Sequence, residues 1–317
     1  MSFFVYLRGV SAGLCVATVM SLTLVGNPTP TFAQSPAPAA QPNPQAATQQ
    51  TPDEELERLR RLTEPDFTLI NLPTTALLPR RGGNFRLTHR FLDNLAVGSF
   101  TDHLENLFGL DNGAVIALEF RYAVMSNLQA IVHRSSLEKT IMFAGQYDAI
   151  KQGPEWWSLG ISGIASIEGT DNFKGRDVED DGHADHEHPA GTGGGYSPAL
   201  GAVLSKRVSD RMALYAVPVW VHNSALTANG PRDTGYLGLG GRLRLTPRLY
   251  VVAEVTPRIG GFAPGIQEFA FGFEGRAGGH MFQLTFTNSV GTTIGQISQG
   301  GFADTLYMGF NLSRKFF

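Results

Sequence analysis

The segment 168–197 combines acidic and histidine side chains at close spacing, and its residue types could hold a metal. It contains eight acidic residues against Lys174 and Arg176, a net charge of 2 − 8 = −6. Such a composition is first of all typical of a solvated loop that flexible glycines keep mobile. The alternative is a divalent-metal site at 177–189, because imidazole and carboxylate groups bind Zn, Ni or Cu. Its candidate ligands are Asp181, His183, Asp185, His186 and His188.

Catalytic side chains do not form a recognisable set along the sequence. His133 and Ser135 lie close in sequence, but the chain contains no Gly-x-Ser-x-Gly turn, no P-loop and no His-Glu-x-x-His helix. Acidic residues such as Glu254 and Glu274 are more typical of partners for arginine than of acid–base pairs. We therefore expect no enzyme and no cofactor apart from that loop metal. A lipid enzyme built into a barrel wall is the weaker alternative.

Composition excludes several classes of protein. Of the 317 residues, 42% are hydrophobic and only 17% are charged, against a usual charged share of about 25%. The net charge is −3, so nothing indicates a nucleic-acid partner. One apolar run occurs, at the N-terminus, and it contains the only cysteine, Cys15. A helical membrane protein and a disulfide-stabilised domain are both excluded.

The N-terminal region has the organisation of an exported protein. Arg8 precedes an apolar stretch, and a small residue, Ala33, ends it, so residues 1–33 are predicted to be a signal peptide. Residues 34–52 are rich in Pro, Ala and Gln and predict a disordered tether. Thr51, Pro52 and Glu54 form a helix-start signal for a short charged helix over 53–66. A domain of strands over 67–317 follows.

Polar and apolar residues alternate through most of the chain after residue 84, which is the pattern of half-buried strands. The even number of segments and their length of about ten residues fit a closed membrane-spanning antiparallel barrel. The predicted fold is therefore an all-β transmembrane barrel of about 12 strands. The segments are 84–91, 114–122, 128–134, 139–149, 156–167, 198–207, 212–222, 236–245, 249–258, 267–276, 281–288 and 305–316.

Gap lengths support the barrel independently of the alternation. Every second gap between the segments is short, with six residues or fewer, while the other series is long with one exception, at 135–138. Outer-membrane barrels have short periplasmic turns and long external loops, whereas a soluble sandwich has no reason to sort loops in this way. A soluble periplasmic barrel is the remaining structural alternative.

The polar faces of the strands predict the lining of the lumen. Both signs of charge occur, so the interior is expected to be ion-paired or to form a narrow pore. A preference for anions would follow if Arg86, Arg90, Arg242, Arg244 and Arg258 shared one face. Three histidines, His89, His133 and His222, are expected at the lumen or rim. The lumen candidates are Arg86, Arg90, Glu119, Arg121, Asp148, Arg242, Arg244, Glu254, Arg258, Glu274 and Arg276.

Several motifs occur in a fixed order from about residue 67 to the end of the chain. They are 69–75 (LINLPTT), 85–91 (FRLTHRF), 106–111 (NLFGLD), 134–140 (RSSLEKT), 279–289 (GHMFQLTFTNS) and 309–314 (GFNLSR). In this order they resemble a bacterial family of unknown function that is described as a membrane-bound β-barrel domain. The resemblance implies a barrel and no particular activity, and the acidic loop is an addition to the common pattern.

Taken together, the sequence predicts a protein of the outer membrane of a Gram-negative-type bacterium. Its expected role is a narrow channel for small solutes or a structural docking barrel, and a surface metal-binding barrel is the alternative. The chain ends with Phe316 and Phe317, which resembles the assembly signal of bacterial outer-membrane barrels. Expected partners are therefore outer-membrane lipid and the barrel-assembly machinery, while the oligomeric state stays open.

Overall fold

A computed structural model describes residues 51–155, 158–173, 196–224, 233–261 and 265–316. The predicted signal peptide (1–33), nearly all of the predicted tether (34–52) and the candidate metal ligands between 181 and 188 lie outside these ranges. The same holds for Phe317.

A helix, α1 (Pro52–Thr63), begins the described chain. Its cap is the one that the sequence indicates: Thr51 Oγ1 accepts a bond from the Glu54 amide at 3.3 Å, and Glu54 Oε2 accepts one from the Thr51 amide at 3.0 Å. The helix ends before the predicted residue 66 because Pro65 disfavours helical geometry at Glu64, whose φ and ψ are −121° and 66°. Among the described residues, no helix is long and apolar enough to cross a membrane.

Within the described ranges, thirteen strands, two further short α-helices and three 3-10 turns follow, the turns at Leu107–Gly109, Leu137–Lys139 and Asp171–Phe173. The helices are α2 (Phe100–Glu105) and α3 (Ile294–Ser298). The strands are β1 (Gly83–Asn94), β2 (Ala114–Met125), β3 (Leu128–Ser135), β4 (Ile141–Ile150), β5 (Gly160–Gly169), β6 (Tyr196–Arg207), β7 (Met212–Val221), β8 (Thr234–Arg244), β9 (Leu249–Thr256), β10 (Arg258–Gly261), β11 (Glu268–Ala277), β12 (His280–Thr287) and β13 (Tyr307–Phe316).

The strands close into an antiparallel barrel. Strand β1 pairs with both β2 and β13, and β8 pairs with both β7 and β9, so the sheet has no free side at either junction. Strands β9 and β10 both lie against β8 and are separated only by Pro257, which has no amide hydrogen to donate. They therefore occupy one position in the wall, and the predicted twelve-strand barrel is confirmed, with β10 as an extra short strand.

The two ends of the barrel differ in their connections. One end, called here the short-turn end, carries the tight connections 126–127, 208–211, 245–248 and 278–279, together with 151–159. The opposite end, called the long-loop end, carries the longer connections, among them 95–113 and 288–306. Both α1 and the start of β1 lie at the short-turn end.

Alternation along the strands orients the side chains as the sequence predicts. In β2, Glu119 and Arg121 are buried inside the barrel, while Leu118 and Phe120 face outward with exposed fractions of 43% and 47%.

One prediction about polar residues, the position of His89, is wrong. His89 alternates with the buried Arg90, so it faces the outside of the barrel and not the lumen or rim, and its ring stacks on Phe310 at 5.1 Å.

A second departure concerns the inner face of neighbouring strands β5 to β9. Apolar side chains point inward here as well as outward, and Val203, Val217 and Val252 are completely buried. The lumen therefore has an apolar side and a polar side. What packs against the apolar side is the chain itself.

Candidate functional site

The lumen is filled by the segment between α1 and β1. Residues 64–79, called here the plug hairpin, run into the barrel from the short-turn end and return. The Leu69 amide donates to the Leu72 carbonyl at 2.8 Å, and the Thr74 amide donates to the Phe67 carbonyl at 2.9 Å. These bonds close a tight turn at Asn71, inside the barrel.

The base of the plug hairpin is bound to the wall at the short-turn end. The Tyr215 hydroxyl donates to Glu64 at 3.0 Å, and the Tyr250 hydroxyl donates to the Leu62 carbonyl at 3.0 Å. On the opposite side, the Ser313 hydroxyl donates to Asp66, also at 3.0 Å. Strands β7, β9 and β13 thus fix the point at which the chain enters.

A single carboxylate of the wall binds the tip of the plug hairpin. Glu254 accepts bonds from the amides of Ile70, Asn71 and Leu72 at 3.0, 2.8 and 3.2 Å. Successive backbone N–H groups that converge in this way form an anion-binding nest. Here the anion belongs to the protein, so the nest holds the turn to β9.

The carbonyl groups of the plug hairpin have partners around the whole barrel. The hairpin does not pair with the sheet and has only two backbone bonds across it, so its other buried carbonyls need side-chain donors. Side chains from β1, β3, β4, β8 and β12 supply them. The bonds run from Arg86 to Ile70, from Gln283 to Leu69 (2.6 Å), from Arg242 to Thr68 (2.8 Å), from Gln146 to Thr74 (2.7 Å) and from Gln129 to Ala76 (3.2 Å).

A buried ion pair supports this arrangement. Arg242 of β8 donates to both carboxylate oxygens of Glu274 of β11, at 2.6 and 2.8 Å, and neither side chain is exposed. The two-bond geometry holds the guanidinium in the orientation in which it reaches the Thr68 carbonyl. The pair therefore positions a group that binds the plug hairpin.

Apolar contacts hold the other side of the plug hairpin. Leu69, Ile70 and Leu72 are fully buried and belong to one cluster with the inward valines of β6, β7 and β9. Burying a Leu or Ile side chain contributes about 1.5–3 kcal/mol. The plug hairpin is thus bound by a hydrophobic core on one side and by charged or amide side chains on the other.

The loop 288–306 closes the long-loop end. All five residues of α3, which lies within this loop, are buried, and Ile294 and Ile297 join the same apolar cluster. Glu168 of β5 accepts a bond from the Gly295 amide at 3.0 Å, and Gln296 donates to Thr140 at 3.1 Å. The lumen is therefore occupied from both ends.

An acid, a histidine and a hydroxyl line up between β2, β3 and this loop. Glu119 and His133 face each other in the register, with 3.4 Å between Glu119 Oε2 and His133 Nδ1. His133 Nε2 lies 3.1 Å from Thr292 Oγ1. The sequence did not indicate this set, because Thr292 lies far from the other two in the chain. These three side chains connect the loop 288–306 to the barrel wall.

The lumen candidates fall into two groups. Eight are buried inside the barrel: Arg86, Arg90, Glu119, Arg121, Asp148, Arg242, Glu254 and Glu274. The other three lie towards the ends. Arg244 is 3.6 Å from Asp210, Arg276 is 3.4 Å from the Arg61 carbonyl, and Arg258 donates to the Gln299 carbonyl at 2.8 Å.

The five arginines that would have favoured anions do not share one face. Arg244 and Arg258 lie at opposite ends of the barrel, and both Arg86 and Arg242 are bonded to the plug hairpin. Arg90 donates to Asn311 at 2.9 Å and to Asn71 at 3.2 Å. Within the described ranges no group of three or more His, Cys, Asp or Glu residues could hold a metal.

Sequence reasoning missed the plug hairpin itself. Its signal was present: three large apolar residues, Leu69, Ile70 and Leu72, lie between Pro65 and Pro79 and ahead of the first strand, where a surface linker would be polar. Because the hairpin's partners are spread over at least seven strands, no local pattern connects them. Gln129 and Gln283 consequently read as ordinary polar-face residues.

A cavity of about 730 Å³ lies at the short-turn mouth, below the plug hairpin. Its floor includes Phe67, Leu78 and Met281. Six basic and two acidic side chains line it, namely Arg60, Arg61, Arg80, Lys151, Arg276 and Lys315 against Glu57 and Glu64. The mouth is thus basic and partly apolar, and the plug hairpin separates it from the long-loop end.

Known proteins were compared with the chain at the level of sequence and of structure. The family model described as "Membrane bound beta barrel domain (DUF5777)" matches residues 66–316. No curated protein matches the chain. Among solved structures, the Acinetobacter baumannii outer membrane protein Omp33 is 11% identical, with a TM-score of 0.41 over 74% of this chain and 98% of that chain. A mutant porin of Rh. blastica is 13% identical, with a TM-score of 0.33 over 64% of this chain and 55% of that chain.

Proposed function

This chain belongs to the family of membrane-bound β-barrel domains of unknown function, and on that premise we propose that it is a closed outer-membrane barrel with a structural docking role. The observation that carries the proposal is the plug hairpin. Both of its faces are bound to the wall, so the lumen is a packed interior and not a solute path. The signal peptide indicated by residues 1–33 and the sorting of short and long connections support export to the outer membrane.

Energetics favour a barrel that stays closed. Burial of Leu69, Ile70 and Leu72 alone contributes roughly 5 kcal/mol, which corresponds to an open fraction below about 1 in 1,000. Withdrawal of the plug hairpin would also break the three amide bonds to Glu254. Thermal opening is therefore rare, and the barrel acts as a rigid membrane support for α1 and the chain ahead of it.

The narrow channel remains the second candidate, because a specific observation favours it. The cavity of about 730 Å³ at the short-turn mouth has the size of a small-molecule site and a basic lining. A channel would need the plug hairpin and α3 both to move, and nothing in their contacts leaves either one loose.

Hydrolytic chemistry is not part of the proposal. Glu119, His133 and Thr292 follow the acid–histidine–hydroxyl order of a hydrolase triad. However, Thr292 is only 8% exposed, and its hydroxyl also lies 3.4 Å from Gln296 Oε1. The nearby amides of Thr292 and Thr293 are bonded to Gln296, so they are not available to an oxyanion. These contacts are those of a structural link.

Single-channel recording tests the proposal. The refolded protein is added to a planar bilayer after heat-modifiable gel migration has shown that it is folded. We expect no conductance steps from the wild type, since the lumen is filled. Stable steps from wild-type protein would overturn the closed barrel and favour the channel. Covalent labelling by a hydroxyl-reactive fluorophosphonate would contradict the non-enzymatic part.

A variant tests whether the plug hairpin is what prevents conductance. Replacing Leu69, Ile70 and Leu72 with Gly removes the apolar contacts and leaves the strands unchanged. On its own this variant is expected to stay silent, because loop 288–306 still closes the long-loop end. With Ile294→Gly and Ile297→Gly added, the folded protein is expected to conduct in brief steps, and its silence would contradict closure by the plug hairpin and α3.

A further inference from the structure

The loop 95–113 packs against the outside of the barrel and not over its lumen. Asp93 of β1 lies on the same outward face as His89 and Phe91. Two loop side chains bind it: His103 Nδ1 lies 3.6 Å from one carboxylate oxygen, and the Asn112 side-chain amide donates to the other at 3.3 Å. The loop therefore covers the outer face of β1 at the long-loop end.

Glycine at 109 permits this close approach. Its φ is +90°, and a Cβ there would lie 2.6 Å from Asp93 Cβ and 3.3 Å from Phe91 Cβ. As a result Phe91 is only 7% exposed although its side chain points away from the lumen. The backbone of the loop thus rests directly on the barrel wall.

The loop exposes several large apolar side chains on the side away from the wall, next to the exposed Asp102 and Glu105. No residue of α2 is buried, and the spacing of Phe100 and Leu104 puts both on one helix face. The Phe100 ring packs only edge-on against Phe108, at 5.9 Å. The exposed fractions are 64% for Val97, 72% for Phe100, 52% for Leu104, 50% for Leu107 and 54% for Leu110.

Five large apolar side chains exposed within fourteen residues exceed the single scattered residues that are normal on a surface in water. The patch adjoins the outward apolar face of β1 and β2, which carries Phe85, Ile116, Leu118 and Phe120 and contacts the membrane interior in a membrane barrel. Apolar and aromatic side chains at the edge of such a face insert at the boundary between headgroups and acyl chains.

We propose that the loop 95–113 is a lipid-binding anchor, in which Phe100, Leu104 and their apolar neighbours insert into the leaflet at the long-loop end. The occupant is lipid, because the patch is continuous with the lipid-facing wall. The anchor fixes the depth of the barrel at that end. This inference is independent of whether the lumen conducts.

Spin labelling tests the anchor. In a Cys15→Ser background the chain has no other cysteine, so Phe100→Cys and Leu104→Cys can each carry a nitroxide label in liposomes. Glu105→Cys, on another side of α2, is the matched control, and Phe120→Cys marks the outward apolar face of the wall. Collision rates with oxygen, which partitions into lipid, and with a water-soluble nickel chelate are measured by electron paramagnetic resonance.

Labels at 100 and 104 are expected to collide more with oxygen than with the nickel chelate, as at 120, while the label at 105 shows the reverse. Equal nickel accessibility at 100, 104 and 105 would overturn the anchor. Spin–spin broadening that depends on protein density would also overturn it, because it would mean that a second copy covers the patch.

Discussion

Several charged side chains inside this barrel form hydrogen bonds with the backbone of the plug hairpin. Arg86 and Arg242 donate to carbonyls of the plug hairpin, and Glu254 accepts from three of its amides. A buried charge without a partner costs several kcal/mol, so each group must be paired or hydrogen-bonded. The lumen charges are therefore better explained as binding groups for the plug hairpin than as a selectivity lining.

The Arg242–Glu274 pair allows a prediction at the scale of single residues. Glu274→Ala leaves a fully buried guanidinium without its carboxylate, and we expect a loss of about 3–5 kcal/mol in the free energy of unfolding. Urea unfolding of the refolded barrel in lipid vesicles measures it. Arg244→Ala, which removes a pair with the exposed Asp210 at the rim, is the control and should cost less than about 1 kcal/mol. Equal losses for the two variants would contradict the assigned role of the buried pair.

At the scale of elements, β8 is shaped to receive the plug hairpin. A Cβ at Gly238 would lie 2.5 Å from Leu72 Cδ2, and one at Gly240 would lie 2.5 Å from Leu69 Cδ1. Both glycines alternate with outward leucines, so they face the lumen. The wall therefore has glycine, without a side chain, at the two positions that Leu72 and Leu69 of the plug hairpin contact.

This complementarity predicts a coupled pair of substitutions. Gly238→Val should destabilise the barrel by about 1–3 kcal/mol through overpacking against Leu72. In a Leu72→Ala background the same change should cost less, because the displaced volume is gone. Urea unfolding of the four proteins in a double-mutant cycle gives the coupling. Additive costs would show that Gly238 does not touch the plug hairpin.

At the scale of the whole molecule, the two ends of the barrel carry opposite charge. At the short-turn end the strand ends and turns carry eleven basic residues and three acidic ones, Asp148, Glu155 and Asp210. The basic residues are Arg80, Arg81, Lys151, Lys206, Arg207, Arg211, Arg244, Arg248, Arg276, Arg314 and Lys315. The described part of the long-loop end has an acidic excess. We expect both ends to stay in water on either side of the bilayer and this charge difference to favour one orientation.

Orientation can be measured by labelling whole cells. In the Cys15→Ser background, Ala303→Cys lies in the loop 288–306 at the long-loop end and Ser209→Cys lies in a tight turn at the short-turn end. We expect a maleimide attached to a large polyethylene glycol to label position 303 on intact cells. Position 209 should react only after the outer membrane is broken. The reverse pattern would mean that the long loops face the periplasm, and protection of both sites would contradict an outer-membrane location.

The sequence by itself determined the barrel. Alternation of two residues per period, as in β2 and β13, and the sorting of short and long gaps are local properties, and strand formation follows from them. The burial of Glu119, Arg121 and Glu274 was predictable for the same reason, since the opposite face of each strand is apolar.

Only the tertiary structure decided what fills the lumen. The bonds from Glu254 to Ile70 span 184 positions in the chain, and the link from His133 to Thr292 spans 159. No periodicity encodes contacts of that range, because the partners are set by barrel closure and by the volume that remains inside. The inward valines of β6 and β7 have the same explanation. Their side chains are apolar because they pack against Leu69 and Leu72 of the plug hairpin.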